Sequence, residues 1–452
     1  MFPSLMINDR AVVRLMLGSL LFKLLLAGIT PLFDDEAYYW VWGHHLSLSY
    51  FDHPPMVAWL FWLGQPLEGL GHAVRFPAII FGHFGIWIFA LSFSQVLLGP
   101  KLFWAVALLL VHPLVGGAVQ IVTPDLPMMT FYALGFWWLQ HLVIHKSLAN
   151  FAVFGLILGL GFVAKYPMAL FGLTALLWGV WARRIRLADS MGVLVAMVCC
   201  IVAALPVFVW NAQHNFDSFL FQLDHGLGTR KPGLMGLPLF LLTQVVLLTP
   251  VLAWAAGMAF SRANPAMSAY RWFALLPVVF FGYASTQSPA NANWIAVAYP
   301  FLIPLAVSAL GTMRWVKLTV GFWAILLSVV FAQAIWRPLP QGSAGPRVTE
   351  IYRFEYLTDA LVARDRTVPL FAGRYQDAAR LSYDLQLPVY KLAGVNRRDH
   401  YDYLSASTPS IACFDYLEEG KGDREQWALE RGLDLVDRQV FASHQLLRLC
   451  RL

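Results

Sequence analysis

Long apolar segments restrict this chain to one class of fold. Of its residues, 59% are hydrophobic and only 13% are charged, and the mean hydropathy is +0.60. A soluble domain does not carry this composition, so the sequence predicts a polytopic α-helical membrane protein. At about 20 apolar residues per crossing, the pattern predicts about eleven transmembrane helices. They are predicted near residues 12–31, 76–98, 101–119, 126–144, 149–165, 167–182, 190–210, 236–260, 271–286, 294–310 and 315–335.

Basic residues predict the orientation of these helices. They fall on alternate connections, which the positive-inside rule places in the cytoplasm. These residues are Arg10, Arg14, Lys101, Lys146, Arg183, Arg184, Arg186, Arg262, Arg271, Arg314 and Lys317. The net charge of +6 is therefore a topology signal and gives no reason to expect a nucleic-acid partner. The first apolar run lacks a small-residue cleavage site, so it is predicted to be a retained helix and not a signal peptide.

The first outward segment, residues 33–74, concentrates polar groups at the predicted membrane surface. It begins with FDDEAYYWVWGHHLSLSYFDHPP, in which Asp35 and Glu36 follow directly on a membrane-length segment. Its aromatic stretches, 37–45 and 56–70, suit helices that lie along the interface. Acids at a helix start are also explained by capping and by the helix dipole, so a structural role is the alternative to catalysis.

Two further ionisable residues lie at predicted helix ends. Asp125 stands between prolines in TPDLPMM, where an N-cap role alone would explain it. Lys165 lies in the apolar stretch GLGFVAKYPMALFG, where a charge costs roughly 2.5 to 3.5 kcal/mol by insertion scales. It is expected either to have a partner or ligand, or to extend from a helix end to the interface.

The outward connection between Trp210 and Gly236 carries Arg230 and Lys231 between glycines. Glycines make this connection mobile, so the pair forms a flexible cationic segment. It would bind an anionic group of a substrate or, alternatively, anchor anionic lipid head groups.

After the last apolar run, residues 337–452 are predicted to form a small soluble α/β domain on the outward side. A linker, RPLPQGSAGPR, is followed by strand-like VPLFAG, helix-like RYQDAARLSYDL and strand-like PVYKL, and then by IACFDYL, REQWALERG and QLLRLCRL. Cys413 and Cys450 fall on predicted strands in a compartment where disulfides persist, which allows one bridge. The motifs at 374–377 and 396–399 follow strand ends, where loops commonly bind ligands; capping is their alternative role.

Carboxylates and cations on one membrane-facing surface suit transfer of a group from a lipid phosphate. The leaving phosphate gains charge, which cations offset, and a hydroxyl acceptor needs a carboxylate base. Candidate phosphate-binding cations are Lys165, Arg230, Lys231, His53 and Arg75, and candidate catalytic acids are Asp35, Glu36 and Asp125.

At these residues the chain resembles a known family. FDDEAYYW, FDHPPMVAWL, TPDLPMM, GLGFVAKYPMAL, NANWIAVAYP and GRYQDAARLSYDL are similar in order to the membrane glycosyltransferases of the protein O-mannosyltransferase and aminoarabinose transferase superfamily, which have the GT-C fold. The resemblance implies that Asp35 and Glu36 are the catalytic acid pair and that Asp125 and Lys165 are functional. In the aminoarabinose transferases a lysine thought to hold the carrier phosphate stands where this chain has His53, which shifts phosphate binding toward Lys165 and Arg230.

The leading hypothesis is an inverting glycosyltransferase at the outer face of a bacterial inner membrane, with its active site and tail domain in the periplasm. It would move a sugar from a polyprenyl-phosphate carrier to a lipid-linked or lipopolysaccharide acceptor of the lipid A type. Alternatives are a protein O-mannosyltransferase and, in another class, a flippase of lipid-linked sugars, which would be expected to show repeated halves.

Two expectations accompany this hypothesis. The tail domain is expected to pack over the outward loops and, through Arg374 and Tyr375, to help select the acceptor without supplying catalysis. No metal cofactor is predicted, although Asp35, Glu36, His44, His45 and His53 are close enough in sequence to form a cation site.

Overall fold

A computed structural model describes residues 6–228, 236–262, 264–288, 291–338, 352, 354–407, 412–420, 424–441 and 443–452. The chain divides into two compact units. The helical unit comprises Met1–Thr30 and Ser47–Phe331, and the tail unit comprises Pro31–Leu46 and Ala332–Leu452. The sequence predicts a domain boundary between residues 336 and 337. The structural division differs because it also assigns Pro31–Leu46, which contains the acidic helix start, to the tail unit.

The described residues contain eighteen α-helices, most of them apolar. Fifteen precede the tail: α1 Arg10–Ile29, α2 Asp34–His44, α3 Met56–Gly64, α4 Phe76–Ser94, α5 Gly99–Val111, α6 Asp125–Leu142, α7 Leu148–Ala164, α8 Met168–Trp181, α9 Ser190–Gln213, α10 Asp217–Leu227, α11 Gly236–Leu248, α12 Pro250–Ser261, α13 Ser268–Ala284, α14 Tyr299–Ala309 and α15 Arg314–Trp336. Three lie in the tail: α16 Thr358–Ala363, α17 Tyr375–Leu385 and α18 Glu425–Leu429.

Every predicted span overlaps helical structure, but the helices differ in length. Among the described residues, five helical segments are long and apolar enough to cross a membrane, or seven if two bent pairs each count as one span. The pairs bend by 52° before Pro113 and by 102° before Pro250, because proline cannot continue the hydrogen-bond ladder of the preceding helix. Helices α7 and α8 are apolar but shorter, so the count of about eleven crossings stays a prediction.

Helices α6 and α7 form a hairpin with charged residues at both ends. The short connection between them carries Lys146, which forms an ion pair of 2.6 Å with Asp189. Asp125 is the first residue of α6, and Lys165 directly follows the last residue of α7. With a rise of 1.5 Å per residue, about 25 Å separates the two ends of each helix. Asp125 and Lys165 therefore lie at the end of the hairpin opposite Lys146, as the alternation of basic connections predicts.

Small residues allow α7 and α9 to pack closely. A Cβ atom on Gly155 would lie 2.1 Å from the carbonyl oxygen of Ala196, and one on Gly159 would lie 2.4 Å from that of Cys200. Glycine is therefore required at both positions. This small-residue seam is typical of membrane helix pairs, which pack without a hydrophobic driving force between them.

The tail unit is built on a five-stranded mixed sheet. Its strands are β1 Leu370–Ala372, β2 Val389–Lys391, β3 Cys413–Glu419, β4 Leu433–Val440 and β5 His444–Arg451, in the order β2-β1-β3-β5-β4. The β1 strand pairs in parallel with β2 and β3, and β5 pairs antiparallel with β3 and β4. The core of the sheet includes Phe371, Phe414, Tyr416, Leu447 and Leu449.

Most of the elements of the tail lie where the sequence predicts them, but the strand β4 and the short helix α16 were not predicted. The strand-like segments correspond to β1, β2, β3 and β5, and the helix-like segments correspond to α17 and α18. The sequence of β4, LDLVDRQV, has few apolar residues after its start, and its outer half is exposed. An edge strand of this kind gives a weak apolar pattern, because only one residue in two can face a core.

A disulfide joins the two central antiparallel strands of the sheet. Cys413 and Cys450 are directly opposite one another in the β3–β5 ladder and are bridged, with 37 residues of sequence separation. This confirms the bridge that the sequence allowed.

Replacing Cys413 and Cys450 together by alanine is expected to destabilise the tail unit by up to about 4 kcal/mol, because the open loop gains entropy when unfolded. Pulse proteolysis in urea would measure the loss. The control is Cys199 with Cys200, which are unbridged and lie in α9. Equal proteolytic stability of the wild type and the Cys413/Cys450 variant would contradict a stabilising bridge.

Candidate active site

The three consecutive acids begin α2, and their burial differs. Asp34 and Glu36 are almost fully buried, whereas Asp35 is only partly buried. A carboxylate oxygen of Glu36 accepts a hydrogen bond of 3.0 Å from the amide of Phe33, so Glu36 stabilises the start of the helix. Of the three acids, Asp35 is therefore the best placed to meet a substrate while its helix start is held in place.

The side chain of Tyr375 contacts Asp35. Tyr375 begins α17, and its hydroxyl group points toward the Oδ1 atom of Asp35 at 3.4 Å, the outer limit of a hydrogen bond. Its ring lies 4.5 Å from the ring of Tyr38, and the guanidinium group of Arg397 lies 4.5 Å above its ring. The neighbouring Arg374 forms an exposed ion pair of 2.6 Å with Glu419, a type of pair that contributes little stability.

Aromatic side chains on α2 pack against the rest of the tail unit. The ring of Trp40 lies 5.3 Å from that of Tyr383, and the ring of Trp42 lies 5.7 Å from that of His400. In addition, Arg380 of α17 donates a hydrogen bond to the carbonyl oxygen of Leu32. The aromatic stretch that the sequence assigns to the membrane interface is thus buried, because α17 and the loop after β2 cover it.

In the helical unit, Lys165 and Asp125 form a largely buried ion pair. Their Nζ and Oδ1 atoms are 2.8 Å apart, and the two side chains are only 13% and 14% exposed. The Nδ2 atom of Asn293 donates a second hydrogen bond, of 3.0 Å, to Oδ2 of Asp125. Asp125 is therefore more than a helix cap, and Lys165 has a partner as expected of an ionisable group within apolar helices.

The loop that contains His53 is linked to α10. Gln222 of α10 donates a hydrogen bond of 2.6 Å to the carbonyl oxygen of Asp52, and the rings of Phe51 and Phe221 lie 4.7 Å apart. At its other end α10 contacts the segment before Asn293, because Ser288 donates to the carbonyl oxygen of His225. The predicted cations Arg230 and Lys231 follow α10 and lie outside the described residues.

Arg75 is fully buried within the helical unit. Its guanidinium group donates to the carbonyl oxygens of Thr30, at 2.9 Å, and Gln120, at 3.4 Å. These carbonyls belong to the end of α1 and to the end of the broken segment after α5. The contacts give Arg75 a structural role, since backbone carbonyls at membrane depth need donors.

The sequence offers Asp35, Glu36, His44, His45 and His53 as a candidate cation site. Among the residues that the structure describes, no group of three or more His, Cys, Asp or Glu side chains is arranged to hold a metal ion. Burial and the nearby His44 lower the pKa of His45, which favours its neutral form.

Sequence analysis missed two features of these polar groups. Asn293 lies in the quoted motif NANWIAVAYP, but nothing in its local pattern points to Asp125, 168 residues away. The sequence predicts that the tail domain packs over the outward loops, but it does not predict the individual contacts of α2, which join residues 340 or more positions apart. The structure brings Asp35 together with Tyr375, and Asp125 together with Lys165; the two pairs belong to different units.

Comparisons with known proteins agree with this architecture. Residues 52–210 match the family described as dolichyl-phosphate-mannose-protein mannosyltransferase. The chain is 28% identical over 364 residues to the lipid A galacturonosyltransferase RgtD of Rhizobium johnstonii, covering 75% of this chain and 74% of that protein. It is 26% identical over 287 residues to an undecaprenyl phosphate-alpha-4-amino-4-deoxy-L-arabinose arabinosyl transferase of Pseudomonas savastanoi, covering 59% of this chain and 52% of that protein.

Solved structures show the same fold. ArnT from Cupriavidus metallidurans bound to undecaprenyl phosphate superposes with a TM-score of 0.68 and 17% identity, covering 96% of this chain and 97% of that chain. The mycobacterial arabinofuranosyltransferase AftD gives a TM-score of 0.51 and 15% identity, covering 99% of this chain and 40% of that chain. The chain thus has the GT-C fold and is similar to the membrane glycosyltransferases that include ArnT and the protein mannosyltransferases.

Replacing Lys165 by methionine is expected to destabilise the helical unit, because it leaves Asp125 as a largely buried charge without its cation. Removing one partner of a fully buried ion pair lowers the free energy of unfolding by roughly 3 to 5 kcal/mol. The loss here should be near the lower figure, because the two side chains are slightly exposed. Adding Asp125→Asn should restore stability. Thermal unfolding in detergent measures both effects.

The matched control is Lys146→Met, which breaks a more exposed ion pair with Asp189 and should cost at most about 1 kcal/mol. If Lys165→Met destabilises the protein no more than Lys146→Met, the Asp125–Lys165 pair is not a buried ion pair in the folded protein.

Proposed function

We propose that this protein transfers a sugar from a polyprenyl-phosphate carrier to a lipid A-type acceptor at the outer face of a bacterial inner membrane. The observation that carries the proposal is the Asp125–Lys165–Asn293 cluster, a polar group at one end of otherwise apolar helices. The names of the similar proteins support the substrates, since they act on lipid A or use an undecaprenyl-phosphate sugar.

The proposed reaction breaks the bond between the anomeric carbon of the sugar and the phosphate oxygen. The carrier phosphate leaves with an additional negative charge, which a nearby cation must offset. We assign this role to Lys165, with His53 and the cations Arg230 and Lys231 assisting. Asp125 holds the lysine side chain in place, and Asn293 in turn donates to the other oxygen of that carboxylate. Arg75 is the weakest phosphate-binding candidate, because backbone carbonyls already bind its guanidinium group.

Asp35 is the proposed general base. Attack by the acceptor oxygen on the face opposite the leaving phosphate inverts the anomeric centre, and a hydroxyl acceptor passes its proton to the carboxylate. Glu36 supports this role through its hydrogen bond to the start of the helix. An acceptor phosphate is already anionic and has no proton to lose, so in that case Asp35 would orient the acceptor and its loss would be milder.

The tail unit is proposed to be a periplasmic α/β domain that contacts the acceptor. Arg374 and Tyr375 are the proposed contact residues, and the exposed Arg397 and Arg398 lie on the loop beside them. The ion pair of Arg374 with Glu419 is exposed at both side chains, so an anionic group of a glycolipid can compete for this arginine.

The function is tested by mass spectrometry of lipid A, other glycolipids and periplasmic proteins from cells with and without the gene. A sugar should be lost from lipid A or another lipopolysaccharide component when the gene is deleted. Wild-type protein should restore it. Loss of a sugar from a periplasmic protein instead would favour protein O-glycosylation, and loss from neither would contradict the proposal.

In the same cells, Asp35→Asn should fold normally and fail to restore the sugar, because the amide cannot act as a base. Its matched control is Glu68→Gln, which removes a charge from the 3₁₀ segment Gln65–Arg75 and should restore the sugar. Full restoration by Asp35→Asn would end the proposed catalytic role for Asp35.

A further inference from the structure

A lysine is fully buried at the end of β2, in a part of the tail unit to which the proposed reaction gives no role. The Nζ atom of Lys391 donates to Oδ2 of Asp399 at 2.8 Å, to Oδ2 of Asp402 at 2.6 Å, and to the carbonyl oxygen of Arg397 at 2.9 Å. All three ammonium donors are therefore used. Burying charged groups is costly unless each is paired and hydrogen-bonded, and this triad meets that condition.

The triad shapes the loop that follows β2. Asp402 also accepts hydrogen bonds from the amides of Gly394 and Asp399, and Asp399 accepts one from the amide of Tyr401. Burial alone would raise the pKa of Asp402, but the hydrogen bonds from Lys391 and the two amides outweigh it and lower the pKa. Residues 394–402 are thus tied to one buried cation by charge-assisted hydrogen bonds, which are stronger than neutral ones.

Within this loop, His400 and Tyr401 contact α2. The amide of His400 donates a hydrogen bond of 2.8 Å to the hydroxyl oxygen of Tyr38 in a buried position. The ring of Tyr401 stacks on the ring of Tyr38 at 5.7 Å, and His400 also contacts Trp42. Tyr38 lies three residues after Asp35, and residues at this spacing are neighbours on one helix face.

We propose that Lys391, Asp399 and Asp402 are positioning residues for α2, and through it for Asp35. The triad fixes the loop, the loop fixes Tyr38 through the amide of His400, and Tyr38 fixes the face of the helix that carries the carboxylate. The effect of the triad on catalysis by Asp35 rests on the proposed function. Its effect on the stability of α2 does not.

A second buried ion cluster in the same unit supplies a matched control. Asp415 on β3 is only 2% exposed and is bound by Arg448 of β5 and by Arg364. Asp415→Asn and Asp402→Asn therefore make the same chemical change at buried ion clusters of one domain. The partners of Asp415 belong to the sheet and to the segment after α16, and not to the loop that contacts Tyr38.

Hydrogen exchange of the full chain in detergent, followed by mass spectrometry, tests the link without substrate. In Asp402→Asn, exchange of the peptide over Asp34–His44 should rise about tenfold or more, as expected for loss of a hydrogen bond between charged groups. Asp415→Asn should leave this peptide unchanged, and Asp402→Glu should restore part of the protection. Faster exchange in residues 394–403 with unchanged exchange in α2 would overturn the proposal.

Tyr38→Phe provides a second route if Asp402→Asn does not fold. It removes only the oxygen that accepts from His400, and α2 should again exchange faster; unchanged exchange would count against the link.

Kinetics of the purified enzyme then test the consequence. Asp402→Asn should lower kcat with little change in KM for the donor, because it displaces a carboxylate and not a binding group. Asp415→Asn should change neither constant at matched folded fraction. Absence of any transfer by the wild type would reject the proposed function and leave the exchange result standing. Equal kcat in Asp402→Asn and wild type would overturn the positioning role.

Discussion

The packing of α2 on the rest of the tail unit is the interaction on which the proposed active site depends. An eleven-residue helix is marginal by itself in water, so tertiary contacts must stabilise it. Tyr38, Trp40 and Trp42 are buried, and burial of each such ring contributes roughly 1.5 to 3 kcal/mol. These rings face α17 and the loop after β2. The three acids at the start of α2 are consequently held by a sheet unit whose remaining sequence begins at Ala332.

The helical unit solves a different problem, that of keeping a cation among apolar helices. Lys165 is paired with Asp125, whose other carboxylate oxygen accepts a hydrogen bond from Asn293. This group lies at the end of the α6–α7 hairpin opposite Lys146. Fixed charges of this kind need no reorganisation when charge develops on a leaving phosphate, which is the main source of electrostatic catalysis.

The sequence predicts local features of this structure well and distant ones poorly. Apolar runs predict the helices, and alternation with turn residues predicts β1, β2, β3 and β5, because both signals depend on residues close in sequence. The exposed edge strand β4 lacks that signal. The hydrogen bond between His400 and Tyr38, and that between Asn293 and Asp125, join segments with no local pattern in common. Such contacts become visible only when the fold brings the segments together, and the same holds for the role of Lys391.

The central claim is that the C-terminal part of the tail unit, residues 332–452, holds the Asp35 carboxylate in place and does not act only on the acceptor. The most direct test compares hydrolysis of the lipid-linked sugar without acceptor and transfer with acceptor, in purified wild type, Tyr375→Phe and Arg374→Ala. Tyr375→Phe should lower hydrolysis as well as transfer, because its hydroxyl group contacts Asp35. The neighbouring Arg374→Ala should lower transfer alone. Unchanged hydrolysis with reduced transfer in Tyr375→Phe would contradict the claim and leave the tail unit with acceptor selection only.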